Sequence, residues 1–164
     1  MKILVLSDSH SSLRFMRRCI EWAKPQAVIH LGDYYDDGKT MAEEYPGIDF
    51  YQVPGNCDRH RYGILDSEIR VVELGGARLY LTHGHLHGVK SGYWSLIKAA
   101  QAAGAQAALF GHTHNAWCSN EDGLWLVNPG SCGYNGGSAA MIVAENGKIL
   151  GCRLVRESEI EDFS

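Results

Sequence analysis

The chain opens MKILVLSDSH (1–10), and in this stretch four apolar residues, Ile3-Leu4-Val5-Leu6, run into Asp8-Ser9-His10. The arrangement recurs along the first two thirds of the sequence. Ala27-Val28-Ile29-His30-Leu31 runs into Asp33, Phe50-Tyr51-Gln52-Val53 into Asn56, Leu79-Tyr80-Leu81 into His83, and Ala107-Ala108-Leu109-Phe110 into His112 and His114. Apolar runs this short, bounded by Gly, Ser or Pro, read as buried strands, and open α/β sheets collect ligands beyond their strand ends. Asp8, His10, Asp33, Asn56, His83, His112 and His114 are thereby expected at one rim, with donors enough for two hard divalent metal ions.

Outward from these runs, strand and helix alternate in the first half. Ser11 or Ser12 can cap a helix whose Leu13, Met16, Ile20 and Ala23 follow the 3.6 period, and Pro25 stops it. A weaker helix is expected over Lys39 to Glu44, and an Ala-rich one over Tyr93 to Ala103, ended by Gly104. The second half reads mostly as strand: Arg70 to Leu74 and Arg78 to Leu81 around Gly75-Gly76, Ala116 to Ser119, Leu124 to Val127, Ala139 to Ala144 and Ile149 to Val155. Asn120 to Gly123 and Glu145 to Gly147 are hairpin signals. Many strands with about three helices imply an α/β domain of two sheets packed face to face, helices outside. The polar tail, residues 156–164, is expected to lack fixed structure.

At 164 residues the chain suits one domain, 1–164, with a core of its own. Its formal charge of −4 offers no basic footprint for long nucleic acid, while bound metal would reverse the local charge and admit small anions. No apolar stretch approaches membrane-spanning length, and the run before Ser7 is too short for a signal sequence, so a cytoplasmic place of work is expected. Self-association is left open. Five cysteines, odd in number and without a C-x-x-C pair, argue against a disulfide framework or a structural zinc knuckle.

Each motif alone is ordinary. Asp8-x-His10 and His112-x-His114 put two side chains on one side of an extended segment, Gly32-Asp33 and Gly55-Asn56 are common turn dipeptides, and His30 reads as a core histidine. Together they require too many coincidences at strand ends. In their order, Asp8-x-His10, Gly32-Asp33, Gly55-Asn56-Cys57-Asp58, His83-Gly84-His85 and Gly111-His112-Thr113-His114 resemble the signature of the calcineurin-like metallophosphoesterase superfamily, and the length resembles its small one-domain phosphodiesterase branch. The resemblance implies a four-layer α/β/β/α sandwich of mostly mixed sheets and a dinuclear centre. It assigns Asp8, His10, Asp33 and His114 to one ion and Asp33, Asn56, His83 and His112 to the other, with Asp33 bridging.

That donor set suits Mn²⁺ above all, with Zn²⁺, Fe²⁺, Co²⁺ or Ni²⁺ as alternatives. Two ions roughly 3.5–4 Å apart can clamp phosphoryl oxygens and activate a hydroxide for in-line attack, so no nucleophilic side chain is needed. The expected activity is hydrolysis of small phosphodiesters. A phosphomonoesterase acting on a nucleotide or small metabolite, and a noncatalytic protein-binding scaffold of the same fold, are the alternatives. Around the centre, His85 or His87 can donate to a substrate oxygen or leaving group, or sit in a solvated loop, and Asp58 can orient a ligand. Asn128-Pro129-Gly130-Ser131 reads as a turn or a phosphate-binding backbone, and Tyr34, Tyr35, Tyr62, Tyr93 and Trp94 as core or pocket wall. His60 and Arg61 read as surface. Cys57 stands where many superfamily members carry a His that assists the leaving group; the small branch often carries Cys there.

Overall fold

The computed structural model describes residues 1–58 and 67–160. In chain order its elements are β1 (Lys2–Leu6), α1 (Leu13–Ala23), β2 (Ala27–His30), α2 (Tyr35–Glu44), β3 (Asp49–Gln52), β4 (Ile69–Leu74), β5 (Ala77–Thr82), α3 (Trp94–Ala102), β6 (Ala107–Leu109), β7 (Trp117–Glu121), β8 (Leu124–Asn128), β9 (Ser138–Glu145) and β10 (Lys148–Arg156), with short 3₁₀ turns at His85–His87 and Glu157–Glu159. The strands form two five-stranded sheets, ordered β10-β9-β1-β2-β3 and β4-β5-β6-β8-β7. Both are mixed: β1, β2 and β3 run parallel, as do β5, β6 and β8, and the flanking pairs are antiparallel.

Alternation along the strands explains why the apolar runs are continuous. Ile3 and Val5 of β1, Ala27 and Ile29 of β2, Leu79 and Leu81 of β5 and Leu109 of β6 point between the sheets and are fully buried there. Leu4, Leu6 and Val28 point the other way, onto Phe15, Met16, Cys19 and Ile20 of α1. Tyr80, Ala108 and Leu126 likewise meet Leu96 and Ala100 of α3. A strand covered on both faces needs apolar residues at every position. The result is the four-layer α/β/β/α sandwich. Among the described residues, no helix is long and apolar enough to cross a membrane.

Three expectations need correction. The run ending at Val53 is not a buried strand throughout: β3 is the edge of its sheet, with Asp49 exposed, Phe50 and Tyr51 half-buried and only Gln52 buried. Helix α2 starts at Tyr35 rather than Lys39. The Tyr35 amide donates to Asp58 Oδ1 at 2.8 Å, and Asp36 and Asp37 sit in the first turn, where the helix dipole favours negative charge. Residues 156–160 of the tail are structured. Arg18 Nη1 donates to Glu157 Oε1 at 2.8 Å, and Ile160, 5% exposed, packs into the cluster beneath α1. Tyr62, His60, Arg61 and the last four residues lie outside the described residues.

Candidate metal centre

Every sequence-derived ligand sits just past the carboxyl end of a strand: Asp8 and His10 after β1, Asp33 after β2, Asn56 after β3, His83 after β5, and His112 and His114 after β6. The backbone leaves the strands abruptly, so Asp8-x-His10 and His112-x-His114 are not the extended segments expected of them. Asp8, His10, Asp33, His112 and His114 all have φ between 44° and 69°, a region costly for residues with a Cβ and typical of functional loops. Several side chains serve as struts. Asp58 accepts the Asp33 and Gly55 amides at Oδ2 and the Tyr35 amide at Oδ1, each at 2.8 Å. Asp33 Oδ1 accepts the Cys57 amide at 3.0 Å. Asn128 Nδ2 donates to the Gly111 carbonyl and Thr113 Oγ1, and Ser131 Oγ donates to the Asp8 carbonyl. The Asn128–Ser131 segment is therefore a turn that braces the site.

Two compact donor groups result. Asp8, His10 and His114 present ligand atoms within 4.8 Å of one another, and so do Asp8, Asp33 and His83. Asp8 is common to both. His114 Nε2 lies 3.1 Å from Asp8 Oδ1, and His83 Nε2 lies 3.7 Å from Asp8 Oδ1 and 3.5 Å from Asp33 Oδ2. His83 Nδ1 donates to the Leu31 carbonyl at 2.7 Å, which leaves a bare Nε2 in the neutral ring. A lone pair facing two carboxylates is repulsive unless a cation or proton lies between them. His10 Nε2, Asn56 Oδ1 and His83 Nε2 are all buried without a hydrogen-bond partner. Buried polar atoms without partners are costly, and a divalent ion would satisfy these. The residues present therefore fit the metal.

The donors open on a cleft of about 340 Å³ to which Cys57, Lys90, Thr113 and Tyr134 also contribute. Tyr134 stacks on His114 with ring centroids 5.1 Å apart, and Tyr34 meets His10 edge-on at 4.8 Å. Lys90 and Tyr134 had no signal in the sequence, since a lone Lys or Tyr in a loop is commonplace. The other candidates lie elsewhere. His87 bonds Tyr80 Oη and Ser95 Oγ, Tyr93 packs on Phe110, Tyr35 is buried, and Trp94 is largely exposed and does not line the cleft. His85 sits behind the lining, 5.5 Å from His83 and 6.1 Å from His112 between ring centroids, with Glu68 Oε1 3.6 Å from its Nε2.

Burial pushes the Asp8 carboxyl up, but the His114 hydrogen bond and the His83 charge outweigh it and hold the group at about 2. Burial pushes the Cys57 thiol up to about 11, helped by Asp33. Burial also lowers His30, His85, His87 and His112, the last to about 4, and the Asp8 hydrogen bond raises His114. In the metal-free chain the four lowered histidines bind protons more readily when unfolded, so their contribution is complete above about 6.5 and is lost as pH falls below it, for His112 toward about 4. His114 alone runs the other way. The urea midpoint of the metal-free protein is expected to drop between pH 7.5 and pH 5; an equal or higher midpoint at pH 5 would contradict this balance.

Comparison with known proteins follows this geometry. The sequence profile of the calcineurin-like phosphoesterase superfamily domain matches residues 1–146. A probable metallophosphoesterase of Bacillus subtilis, YsnB, is 33% identical over 135 residues, covering 80% of this chain and 75% of that protein. The phosphodiesterase MJ0936 of Methanocaldococcus jannaschii is 28% identical over 151 residues, covering 82% and 86%. In three dimensions the zinc-complexed wild-type Vps29 of Entamoeba histolytica shares the fold, with a TM-score of 0.67 and 18% identity over 95% of this chain and 99% of that one. With a profile match across most of its length and a strand-end donor set in the matched region, the chain belongs to the calcineurin-like phosphoesterase superfamily.

Proposed function

We propose that the protein is a metal-dependent phosphodiesterase that hydrolyses small diesters at a dinuclear centre held by Asp8, His10, Asp33, Asn56, His83, His112 and His114. The observation that carries this reading is the set of unpartnered buried atoms: His10 Nε2 and His83 Nε2, each grouped with Asp8, and Asn56 Oδ1, on the cleft that His10 and Asp33 also line. Two divalent ions, Mn²⁺ being the expected pair, would neutralise phosphoryl oxygens and lower the pKa of a water toward neutrality. The chain's own residues supply position and charge. Asp8 is held by Ser7 Oγ at 2.6 Å and by the His112 amide at 3.1 Å, both on Oδ2, so that Oδ1 faces His83 and His114. Lys90, on the cleft wall, is suited to a phosphoryl oxygen pointing away from the metal-binding side chains. The name of the Methanocaldococcus relative supports diesters over monoesters. His85 enters the proposal from behind the cleft lining, beside His83 and His112 and with Glu68 Oε1 3.6 Å from its Nε2, where it shapes the ligand environment without reaching the departing group.

The test is a chelated protein assayed with and without added Mn²⁺ on bis(p-nitrophenyl) phosphate and p-nitrophenyl phosphate. Chelation should abolish turnover and Mn²⁺ restore it, with the higher kcat/KM on the diester. The far-UV circular dichroism should persist without metal, because the core between the sheets is built independently of the rim. A higher kcat/KM on the monoester would replace the reading with a phosphatase, and no turnover with Mn²⁺, Zn²⁺ or Co²⁺ would favour the scaffold.

Cys57 gives a sharper prediction. With a thiol rather than an imidazole at position 57, no general acid is assigned to a departing alkoxide, so aryl diesters should be cleaved readily and alkyl diesters poorly. Cys57→His should improve alkyl substrates more than aryl ones, by up to roughly 10²-fold if the ring reaches the leaving oxygen. Similar chemical-step rates for alkyl and aryl diesters in the unaltered enzyme would defeat this argument.

A further inference from the structure

Beneath the ligand loops lies a buried polar chain that the reading above does not use. The Gly32 amide donates to His30 Nδ1 at 3.3 Å, so the neutral ring carries its proton on Nε2. That Nε2 lies 2.9 Å from Ser9 Oγ, and Ser9 Oγ donates its single proton to Asp37 Oδ2 at 2.7 Å. The same Asp37 oxygen accepts the Ser11 amide at 2.7 Å. Ser9 and His30 are fully buried, and Asp37 is 8% exposed. The donors and acceptors run in one direction and end on a carboxylate.

The ends of this chain are the two loops that carry the metal-facing carboxylates. Ser9 lies between Asp8 and His10, and Gly32 precedes Asp33. The loops are tied directly as well, the Asp8 amide donating to the Gly32 carbonyl at 2.9 Å. Asp8, His10 and Ser11 have φ of 51°, 44° and 68°, and Asp33 and Tyr34 have 58° and 67°. Consecutive residues with a Cβ do not hold such values unaided, because each costs energy that surrounding contacts must offset. The Ser11–Asp37 and Ser9–Asp37 bonds fasten the first loop to the start of α2, and His30 fastens it to the second.

We propose that Ser9, His30 and Asp37 form a positioning relay that holds the strained Asp8–Ser11 loop in its ligand-presenting conformation, and that uptake of the ion at Asp8, His10 and His114 depends on it. The proposal rests on the dinuclear reading and adds residues to it. Loss of partners that orient metal ligands weakens affinity by about 10- to 100-fold. The hydrogen-bond geometry is what matters, so an Asn at position 37 can keep an oxygen toward Ser9 and Ser11, whereas Ala cannot.

The experiment titrates the metal-free full-length protein, its Ser9→Ala, Asp37→Ala and Asp37→Asn variants with Co²⁺, followed by visible absorption and calorimetry. Circular dichroism checks the fold of each. The expected result is two ions in the unaltered protein, one of them bound about 10- to 100-fold more weakly in Ser9→Ala and Asp37→Ala with a changed Co²⁺ spectrum, and near-complete rescue in Asp37→Asn. If Asp37→Ala fails to fold, Ser9→Ala against Asp37→Asn decides. Two ions bound with unchanged affinity and spectrum in Ser9→Ala overturn the relay alone, as does an Asp37→Asn protein as weak as Ser9→Ala. Fewer than two ions in the unaltered protein overturn the dinuclear reading and the relay with it.

Discussion

Asp33→Asn is expected to leave the protein folded and to lower kcat/KM by roughly 10³-fold or more, with metal content below two ions per chain. The reason lies in how the two carboxylate oxygens are used. Oδ1 accepts the Cys57 amide at 3.0 Å, a bond that an Asn oxygen can keep, so the substituted side chain has one preferred orientation. Its NH₂ then replaces Oδ2, which lies 3.5 Å from His83 Nε2. A donor in that place can bond the bare imidazole nitrogen and withdraws two ligand atoms at once. Asn56→Ala removes one neutral donor and should cost less in both metal content and rate. Elemental analysis that finds two metals in an active Asp33→Asn protein would remove Asp33 from the bridging position that the family resemblance assigns to it. Asp8→Asn should be comparably severe, since both Asp8 oxygens are engaged: Oδ2 by Ser7 and the His112 amide, Oδ1 by His114.

The second large effect is steric. At Gly55 a Cβ would stand 2.2 Å from Asp33 Oδ1 and 2.6 Å from the Asp33 amide nitrogen, and at Gly111 it would stand 2.1 Å from Ser7 Oγ and 2.6 Å from Asp8 Oδ2. These atoms are the Asp33 amide, the carboxylate oxygens of Asp33 and Asp8, and the Ser7 hydroxyl bonded to Asp8, and they cannot yield by that much without moving a candidate ligand. Gly55→Ala and Gly111→Ala should each lose about 1–3 kcal/mol of unfolding free energy. The activity loss should be larger than stability alone explains, because displacement of about 1 Å can cost on the order of 10²-fold in rate. Gly151→Ala is the control, as nothing lies within 4 Å of its Cβ. A urea midpoint and kcat/KM for Gly55→Ala equal to those of Gly151→Ala would show that the loop adapts and that Asp33 tolerates displacement.

Local chemistry carried much of this into the linear sequence. A strand buried on both faces must be apolar at successive positions, so β1, β2, β5 and β6 announce themselves. The turn residues Asp122-Gly123 and Asn146-Gly147 mark their hairpins, and both adopt the positive φ that such turns need. The donors stand within a few residues of those strand ends and are legible because the strands are. Where local chemistry was ambiguous, the reading failed. Tyr35 to Gly38 fall outside the helix expected over Lys39 to Glu44, yet they are helical, with the Tyr35 amide held by Asp58, distant in sequence. The tail looks disordered by composition, and Ile160 is held by packing against α1.

What the residues determined alone is thus the strand pattern and the two-sheet class, together with the candidate donors proposed for the metal, since each depends on side-chain type and spacing within one segment. Tertiary structure alone decided that Asp8 belongs to both donor groups, that β3 is an edge, that Lys90 and Tyr134 reach the cleft and that Asp37 lies under Ser9. Those facts depend on sheet order and on contacts between residues as far apart as Ser9 and Asp37, 28 positions, and Asp8 and His114, 106 positions, where long-range packing rather than local preference selects the neighbours.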